Sequence, residues 1–318
     1  MIDTPLVSIP LICFNQERTI IEAIKSIQNQ DYPNIEIIIS DDCSTDKTIE
    51  LIRSHLLQNS TNVPVFINVN KVNLGIGGNL ALAITFCKGE FIVPASGDDI
   101  SFRDRVSTVV SAWLKSNRKI GYINSDVREM TFEGQPIGDY TADDFNDYKS
   151  ISDWLKKPQV FVGTECWSRD FYKSFPPPHN VSAEDQIMAL RAIALKCGHT
   201  IHKPLLMHRA GGVTSKRPQT FEQKLNTLRR EVLQSIEDYT QMQNDMNYIG
   251  LQRETGNFFR RKHAELRLLD FCISNHSVFQ KFRSIVTAKH ARVSQRLRCF
   301  SFVFLGPIHK FIYLVKRR

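Results

Sequence analysis

The residues most able to do chemistry in this chain lie in two short acidic segments. One is Asp41-Asp42-Cys43-Ser44-Thr45-Asp46, which follows the apolar run 35–40, and the other is Ser96-Gly97-Asp98-Asp99, which follows 90–95. Clustered carboxylates repel one another, so they need a cation or hydrogen-bond donors nearby. Mg²⁺ or Mn²⁺ suits them, because hard cations take oxygen ligands and leave positions open for phosphate oxygens. The two segments therefore indicate a metal-bridged diphosphate.

Helix capping is a simpler explanation of the same residues. Ser44 or Asp46 could cap a helix predicted over 46–57, and the pair Asp98-Asp99 could cap one predicted over 102–117. Capping needs one side chain, whereas each segment supplies adjacent carboxylates. We therefore favour a metal or nucleotide site.

The elements that must position these segments alternate between strand-like and helix-like patterns. Apolar runs predict strands, and apolar residues at helical spacing predict helices. The strands are expected at 6–13, 35–40, 65–69, 90–95 and 120–125, and the helices at 17–30, 46–57, 79–87 and 102–117. This alternation predicts an α/β fold with a Rossmann-like, mostly parallel sheet and helices on both faces. Ligands of such sheets bind beyond the carboxyl ends of the strands, so both acidic segments are expected in one crevice.

The second half of the chain is more helical. We predict a hairpin near Glu133-Gly134, a helix over 183–197 and a long polar helix over 220–244. Residues 251–318 are predicted to be helical and basic, interrupted at Gly306-Pro307.

Positive charge is concentrated at the end of the chain. The 318 residues carry a net charge of +8, but residues 251–318 contain 15 Lys/Arg and 3 Asp/Glu, which leaves −4 on the first 250. Apolar segments at 299–305 and 311–315 are flanked by Lys310 and Lys316-Arg317-Arg318. This combination favours an interfacial helix on anionic lipid over a helical bundle that packs on the rest of the chain.

The cysteines and the hydropathy of the chain indicate its cellular compartment. The seven cysteines are scattered and form no Cys-x-x-Cys pair, which argues against a zinc site and a secreted disulfide framework. The N-terminus lacks a signal pattern, and no apolar run reaches about 18 residues. We expect a cytoplasmic protein, peripheral to the inner face of the cell membrane.

Six motifs occur in the order and at the intervals typical of the family 2 glycosyltransferases, which the chain resembles over about residues 5–215. They are Pro10–Glu17, Ser40–Asp46, Asn73-Leu74-Gly75, Lys88–Ile92, Ser96–Asp99 in the place of an Asp-x-Asp motif, and Glu184-Asp185. The resemblance implies a GT-A catalytic domain at 1–215, with a nucleotide-binding half at 1–125 and an acceptor half at 126–215. The basic helical extension would occupy 216–318.

The resemblance also implies roles for single residues. Phe14 would lie near the nucleotide base, with Asn15 beside it, and Asp41 would accept a hydrogen bond from the base. Asp98 and Asp99 would hold the ribose and the metal. The glycine-rich segment after the third strand could let the backbone approach the nucleotide, and Asn79 at its end is a further candidate for donor binding.

The chain departs from the family at two places. Ser96 stands where an Asp is usual, and Ser supplies no charge. Relatives often carry Arg-x-His before a Gly/Ser-rich loop, whereas this chain has His208-Arg209, and the usual His position holds Ala210 or Gly211. His208 could still reach the metal or diphosphate, and Arg209 could offset phosphate charge. The alternative is an ordinary polar strand end.

Asp185 is predicted to be the catalytic base. In inverting transfer a carboxylate removes the acceptor proton as the hydroxyl attacks the anomeric carbon. The alternative is that Glu184 and Asp185 only favour the N-terminus of their helix through its dipole. The residues alone leave these two explanations evenly matched, and the ordered family motifs favour the base.

We expect an inverting, metal-assisted glycosyltransferase that uses a UDP-, dTDP- or GDP-sugar and a saccharide or polyprenyl-linked acceptor. A sugar-phosphate nucleotidyltransferase would need a Gly-rich, Arg-containing loop after the first strand, where this chain has Phe14–Glu17. A nucleic-acid- or membrane-binding protein without enzymatic activity would leave the acidic segments unexplained, because carboxylates repel phosphate. We therefore expect no nucleic-acid partner.

Overall fold

The computed structural model describes residues 3–59, 62–178, 181–211 and 220–304. It divides into two compact units, one comprising residues 1–179 and 184–215 and the other comprising 180–183 and 216–318. Each unit has its own hydrophobic core.

A mixed sheet forms the centre of the first unit. Its strands are β1 (Val7–Cys13), β2 (Ile35–Asp41), β3 (Val65–Val69), β4 (Phe91–Ile92), β5 (Ala95–Ser96), β6 (Ile100–Ser101), β7 (Tyr122–Met130), β8 (Pro136–Tyr140), β9 (Thr164–Ser168) and β10 (Gly198–Arg209). The order is β3-β2-β1-β4-β9-β7-β10-β6, with β5 beside β1 and β8 beside β7. The pairs that β1 forms with β2, β4 and β5 are parallel, as are β2–β3 and β7–β10, whereas β6, β8 and β9 pair antiparallel. The predicted α/β fold with a mostly parallel sheet is confirmed.

Helices cover both faces of this sheet. Those of the first unit are α1 (Ile20–Gln28), α2 (Thr48–Gln58), α3 (Gly75–Phe86), α4 (Arg105–Lys115), α5 (Ile151–Lys156), α6 (Arg169–Lys173) and α7 (Glu184–Leu195). Along β2, Ile37 and Ile39 join the core that contains α1 and α4, whereas Ile38 packs with α3. Side chains alternate between the faces of a strand, so one continuous apolar run supplies two cores.

Three predicted elements differ from the structure. The predicted strand 90–95 is two short strands, β4 and β5, because Pro94 between them has no backbone N–H to donate. Helix α3 begins at Gly75, four residues before the predicted start at Asn79. The strand predicted to end at Ser125 continues to Met130, where it pairs with β10 and forms the predicted hairpin with β8.

The second unit is helical, as predicted. It contains α8 (Phe221–Tyr248), α9 (Gln252–Ile273), α10 (Val278–Thr287) and α11 (Val293–Phe304). The helical prediction for this region resolves into separate helices, because α9 ends at Ile273 and Ser277 then caps α10 by accepting a hydrogen bond from the Gln280 N–H. The predicted break at Gly306-Pro307 and the apolar segment 311–315 lie outside the described residues. Within the described ranges, no helix combines the length and apolar character needed to cross a bilayer.

Candidate active site

The carboxyl ends of β1, β2 and β5 open onto a cavity of about 440 Å³ in the first unit. The residues that line it are Ile12, Cys13, Phe14, Gln16, Asp42, Asn73, Gly75, Ile76, Asn79, Ser96, Asp98, Asp99 and His208. The set includes the predicted site residues Phe14, Asn79, Asp98, Asp99 and His208, and it does not include Asn15, Asp41 or Asp185. Both acidic segments therefore contribute side chains to one cavity.

Asp42 connects the first acidic segment to α3. Its carboxylate, 4% exposed, accepts hydrogen bonds from the backbone N–H of Leu74 (2.8 Å) and Gly75 (2.9 Å) and from the side-chain amide of Asn70 (2.9 Å). Because Leu74 and Gly75 begin α3, Asp42 caps that helix from the end of another strand. This bond pattern explains the early start of α3, and it makes Asp42, rather than Asp41, the member of the pair that borders the cavity.

Three predicted donor-binding residues have partners within the protein. Asp41 is fully buried and accepts a hydrogen bond from the Ser44 N–H (2.8 Å). Asn15 adopts a positive φ of 50° and accepts a hydrogen bond from the Thr45 N–H (2.8 Å). The buried amide of Asn79 donates to a backbone carbonyl of β2 (2.9 Å). These bonds stabilise the loops around the cavity, and the role of the three residues in donor binding stays a prediction.

The capping explanation holds for only part of the acidic segments. Asp46 accepts a hydrogen bond from the N–H of Thr48, the first residue of α2 (2.9 Å). Helix α4 begins after Asp104, so Asp98 and Asp99 lie too early in the chain to cap it. Their position at the cavity needs another explanation.

Asp99 joins the second acidic segment to the end of β10. Its Oδ1 accepts a hydrogen bond from the Arg209 N–H (2.9 Å) and lies 3.3 Å from His208 Nδ1. The guanidinium of Arg209, which is 4% exposed, donates to the Asp98 carbonyl (2.8 Å) and pairs with Glu22 (2.5 Å). Arg209 is therefore committed to holding the loop, and the suggestion that it offsets phosphate charge finds no support in this geometry.

Acidic side chains are concentrated at the cavity, where Asp98 and Asp99 are adjacent and His208 is close to Asp99. Burial, and then the negative charge of Asp99, raise the pKa of Asp98. The hydrogen bond to Asp99 raises the pKa of His208 against the opposing effect of burial. Both shifts mean that an added positive charge at this point would be stabilised.

The residues at this point of the cavity suit a divalent cation whose remaining ligands are phosphate oxygens. Asp98, Asp99 and His208 border the cavity together with Gln16, whose buried Oε1 has no hydrogen-bond partner among the described residues. Oxygen and imidazole ligands suit Mn²⁺ or Mg²⁺. In the described part of the chain, no three His, Cys, Asp or Glu side chains are arranged to hold a metal by themselves. A cation here would need phosphate oxygens to complete its ligands.

A second acidic group lies at the start of α7, outside the cavity lining. Burial, and then the negative charge of Asp185, raise the pKa of Glu184 to about 8. Burial and the charges of Glu184 and Asp185 also raise the pKa of Glu165, which accepts a hydrogen bond from the Tyr122 hydroxyl (3.2 Å). Asp185 Oδ2 accepts a hydrogen bond from the Gln186 side chain (2.9 Å). Burial and mutual repulsion therefore favour the protonated forms of Glu165 and Glu184.

The raised pKa of Glu184 bears on the alternative explanation that acidic residues at the start of α7 only interact with its helix dipole. A protonated Glu184 adds no charge to the N-terminus of α7, so the dipole does not account for it. Glu165 was not selected from the sequence, because a single Glu within β9 carries no local signal. Only the fold brings it to Glu184 and Asp185.

Replacing Glu184 by Gln is expected to flatten the pH dependence of stability. Between the ordinary pKa of 4.5 and the folded value of about 8, the unfolded chain has lost this proton and the folded chain retains it. The contribution of Glu184 to the stability of the native protein therefore falls as pH rises through this window, by about 1.4 kcal/mol per pH unit at most, and is lowest above it. Denaturant unfolding of Glu184→Gln and the native protein at pH 5 and 8 measures the difference. The exposed Glu133→Gln is the matched control, and equal pH slopes for all three proteins would contradict the assignment.

The mostly parallel sheet presents carboxylates, an aromatic ring and a histidine to one cavity at its strand ends, where ligands of α/β sheets bind, and its architecture is that of the GT-A fold. The fold is shared with S. aureus TarS 1-349, solved in complex with UDP-GlcNAc, at 16% identity and a TM-score of 0.54 over 95% of this chain and 91% of that one. It is also shared with the mannosyltransferase PcManGT of Pyrobaculum calidifontis, solved with GDP-Man and Mn²⁺, at 15% identity and a TM-score of 0.53 over 98% and 88%.

The chain belongs to glycosyltransferase family 2. The family model for glycosyl transferase family 2 matches residues 8–161. The Escherichia coli UDP-Glc:alpha-D-GlcNAc-diphosphoundecaprenol beta-1,3-glucosyltransferase WfgD is 31% identical over 207 residues, which cover 63% of this chain and 77% of WfgD. Three other curated relatives match at 34% to 35% identity, and the match spans only 34% to 40% of their lengths. Membership of this family favours glycosyl transfer over the nucleotidyltransferase and non-enzymatic alternatives.

Proposed function

We propose that this chain transfers a sugar from a nucleoside-diphosphate sugar to a lipid-linked saccharide, with inversion and with the help of a divalent metal. The observation that carries the proposal is the cavity at the strand ends, where Phe14, Asp98, Asp99 and His208 meet. Residues 1–215 would form the catalytic domain, with donor binding in 1–125 and acceptor binding in 126–215. Residues 216–318 would form the extension.

The donor would occupy the cavity. Phe14 would contact the base, and Asn15, Asp41 and Asn79 would support this end of the site through the loops they stabilise. Mn²⁺ or Mg²⁺, held by Asp98, Asp99 and His208, would offset the charge that the departing diphosphate gains. The PcManGT complex with GDP-Man and Mn²⁺ supports this pairing of nucleotide and metal on the same fold.

Asp185 would act on the acceptor. In a single displacement, the acceptor oxygen attacks the anomeric carbon from the side opposite the diphosphate, and its proton moves to a carboxylate. Burial favours the protonated forms of Glu165 and Glu184, whereas the ordered family motifs place Asp185 in the role of the base. Asp185 lies in the first turn of α7, and its charge acts on Glu165 of β9 and on Tyr122 at the start of β7.

The acceptor would be a saccharide on a polyprenyl diphosphate, at the cytoplasmic face of a membrane. Support comes from the substrate in the name of WfgD, a diphosphoundecaprenol-linked sugar. The donor would be a UDP-, dTDP- or GDP-sugar, as in the complexes of TarS and PcManGT. Anionic lipid would attract the basic extension.

A nucleoside diphosphate is expected to raise the melting temperature of this protein only when a divalent cation is present. Ligand that binds the folded state stabilises it by about 2.7 kcal/mol at a concentration 100 times its Kd. A thermal-shift panel of UDP, dTDP and GDP with Mn²⁺, repeated with EDTA, measures the effect and identifies the base. Equal shifts with Mn²⁺ and with EDTA would remove the metal from the mechanism.

A further inference from the structure

One face of α10 is apolar and exposed. Val278, Phe279, Phe282 and Val286 are 44% to 74% exposed. At about 100° per residue these four side chains occupy an arc of about 100°, which is the geometry of a one-sided apolar helix. Ile285 is the buried residue of α10, so this helix packs by one edge and leaves most of its apolar side chains in solvent.

Helix α11 continues the same surface. Val293, Leu297, Phe300 and Phe304 are 39% to 71% exposed and fall within an arc of about 60°. The rings of Phe282 and Phe304 are 6.1 Å apart, centre to centre, so the two exposed arcs meet. We name these eight residues the α10–α11 face.

The helices that carry this face are positively charged. Residues 278–304 contain six Lys/Arg and no Asp or Glu. Arg292 pairs with Glu265 (2.7 Å), and Arg296 donates to the backbone carbonyls of Ala288 and Ala291, which follow α10. The other four basic side chains form no ion pair within residues 3–304 as far as the structure describes them, and they are Lys281, Arg283, Lys289 and Arg298.

We propose that the α10–α11 face docks on an anionic lipid surface, with both helices lying in the plane of the interface. Apolar side chains beside unpaired cations match acyl chains beneath anionic headgroups. A second copy of the chain would instead bring two sets of unpaired cations together. Helices of 10 and 12 residues are about 15–18 Å long, too short to cross a ~30 Å hydrocarbon core. This inference rests on the proposed function in one respect, because a lipid-linked acceptor would be the reason for the chain to bind a membrane.

Sedimentation of the full chain with lipid vesicles tests the proposal. We expect binding to vesicles of phosphatidylcholine mixed with phosphatidylglycerol, and weaker binding to phosphatidylcholine alone. The double variant Phe279→Ser/Phe282→Ser should lower vesicle partitioning by about tenfold or more, because it removes apolar area without touching the core. The variant Lys281→Gln/Arg283→Gln should lower it by about tenfold on anionic vesicles only. Leu57→Ser/Ile137→Ser, which alters two exposed apolar residues of the first unit, is the matched control.

Three results would overturn the proposal. The first is unchanged partitioning of the Phe279→Ser/Phe282→Ser variant. The second is a chain ending at Phe304 that no longer binds vesicles while the double Ser variant still does, which would place the anchor in residues 305–318. The third is a double Ser variant that loses self-association in ultracentrifugation but keeps vesicle binding, which would make the face an interface between copies. Turnover on a water-soluble acceptor should be equal in all these proteins, and its absence in the native chain would count against the proposed function alone.

Discussion

Replacing Asp185 by Asn is expected to lower the turnover number by about 10²–10⁴-fold, which is the contribution of general-base catalysis. Asn keeps the size of the side chain and can accept the hydrogen bond from Gln186, but it cannot take a proton at neutral pH. Donor affinity should barely change, because Asp185 does not line the cavity. Single-turnover kinetics with a saturating donor, together with calorimetric titration of the nucleoside diphosphate, separate the two effects.

Glu184→Gln is the control for this experiment. Burial raises the pKa of Glu184 to about 8, so at pH 7 the native side chain is mostly neutral and Gln resembles it. Its turnover should stay within severalfold of the native value. Near-native turnover of Asp185→Asn, under conditions where chemistry limits the rate, would eliminate Asp185 as the base. A product that NMR shows to retain the donor's anomeric configuration would eliminate the single displacement.

Asp99→Asn is expected to cost about 10²–10³-fold in turnover, the effect of removing one group that stabilises charge in the transition state. The amide can still accept the hydrogen bond from the Arg209 N–H, so the loop should keep its conformation. The lost negative charge should weaken cation binding and lower the pKa of His208, which the bond to Asp99 raises. Steady-state kinetics over a range of Mn²⁺ concentrations and NMR titration of the histidines measure both changes.

Asp104→Asn provides the comparison. Asp104 is an acidic residue of the same unit whose carboxylate pairs with Lys203 at the surface, where such pairs are worth about 0–1 kcal/mol. Its turnover and Mn²⁺ dependence should match those of the native protein. If Asp99→Asn shows native turnover and native Mn²⁺ dependence as well, the metal does not bind at Asp98 and Asp99.

Much of the catalytic unit could be predicted from local patterns. The apolar run Ile35–Ser40 predicts a strand buried on both faces, and β2 is such a strand, with Ile38 facing one core and Ile37 and Ile39 the other. The meeting of both acidic segments at one cavity follows from the same reasoning, since parallel strands end at one edge of the sheet. These features depend on residues close together in the chain, which a pattern of hydrophobicity encodes directly.

Local patterns in the sequence do not predict which distant segments of the chain contact one another. The sequence does not distinguish Asp41 from Asp42, and only the packing of α3 beside β2 makes Asp42 a helix cap. A Cβ on Gly97 would lie 2.2 Å from Gln16 Oε1 and 2.9 Å from the Cys13 side chain, so this glycine allows the second acidic segment to reach the end of β1.

By itself, then, the sequence determined the α/β class, the order of the elements and the strand ends where acidic side chains gather, because these depend on periodicity and on neighbouring residues. The tertiary structure alone decided which polar side chains are free to meet a ligand. It commits Arg209 to Glu22, and it places Glu165 beside Glu184 and Asp185. The physical reason is that hydrogen-bond partners and the burial that shifts a pKa come from segments far apart in the chain, and no local pattern records their distance.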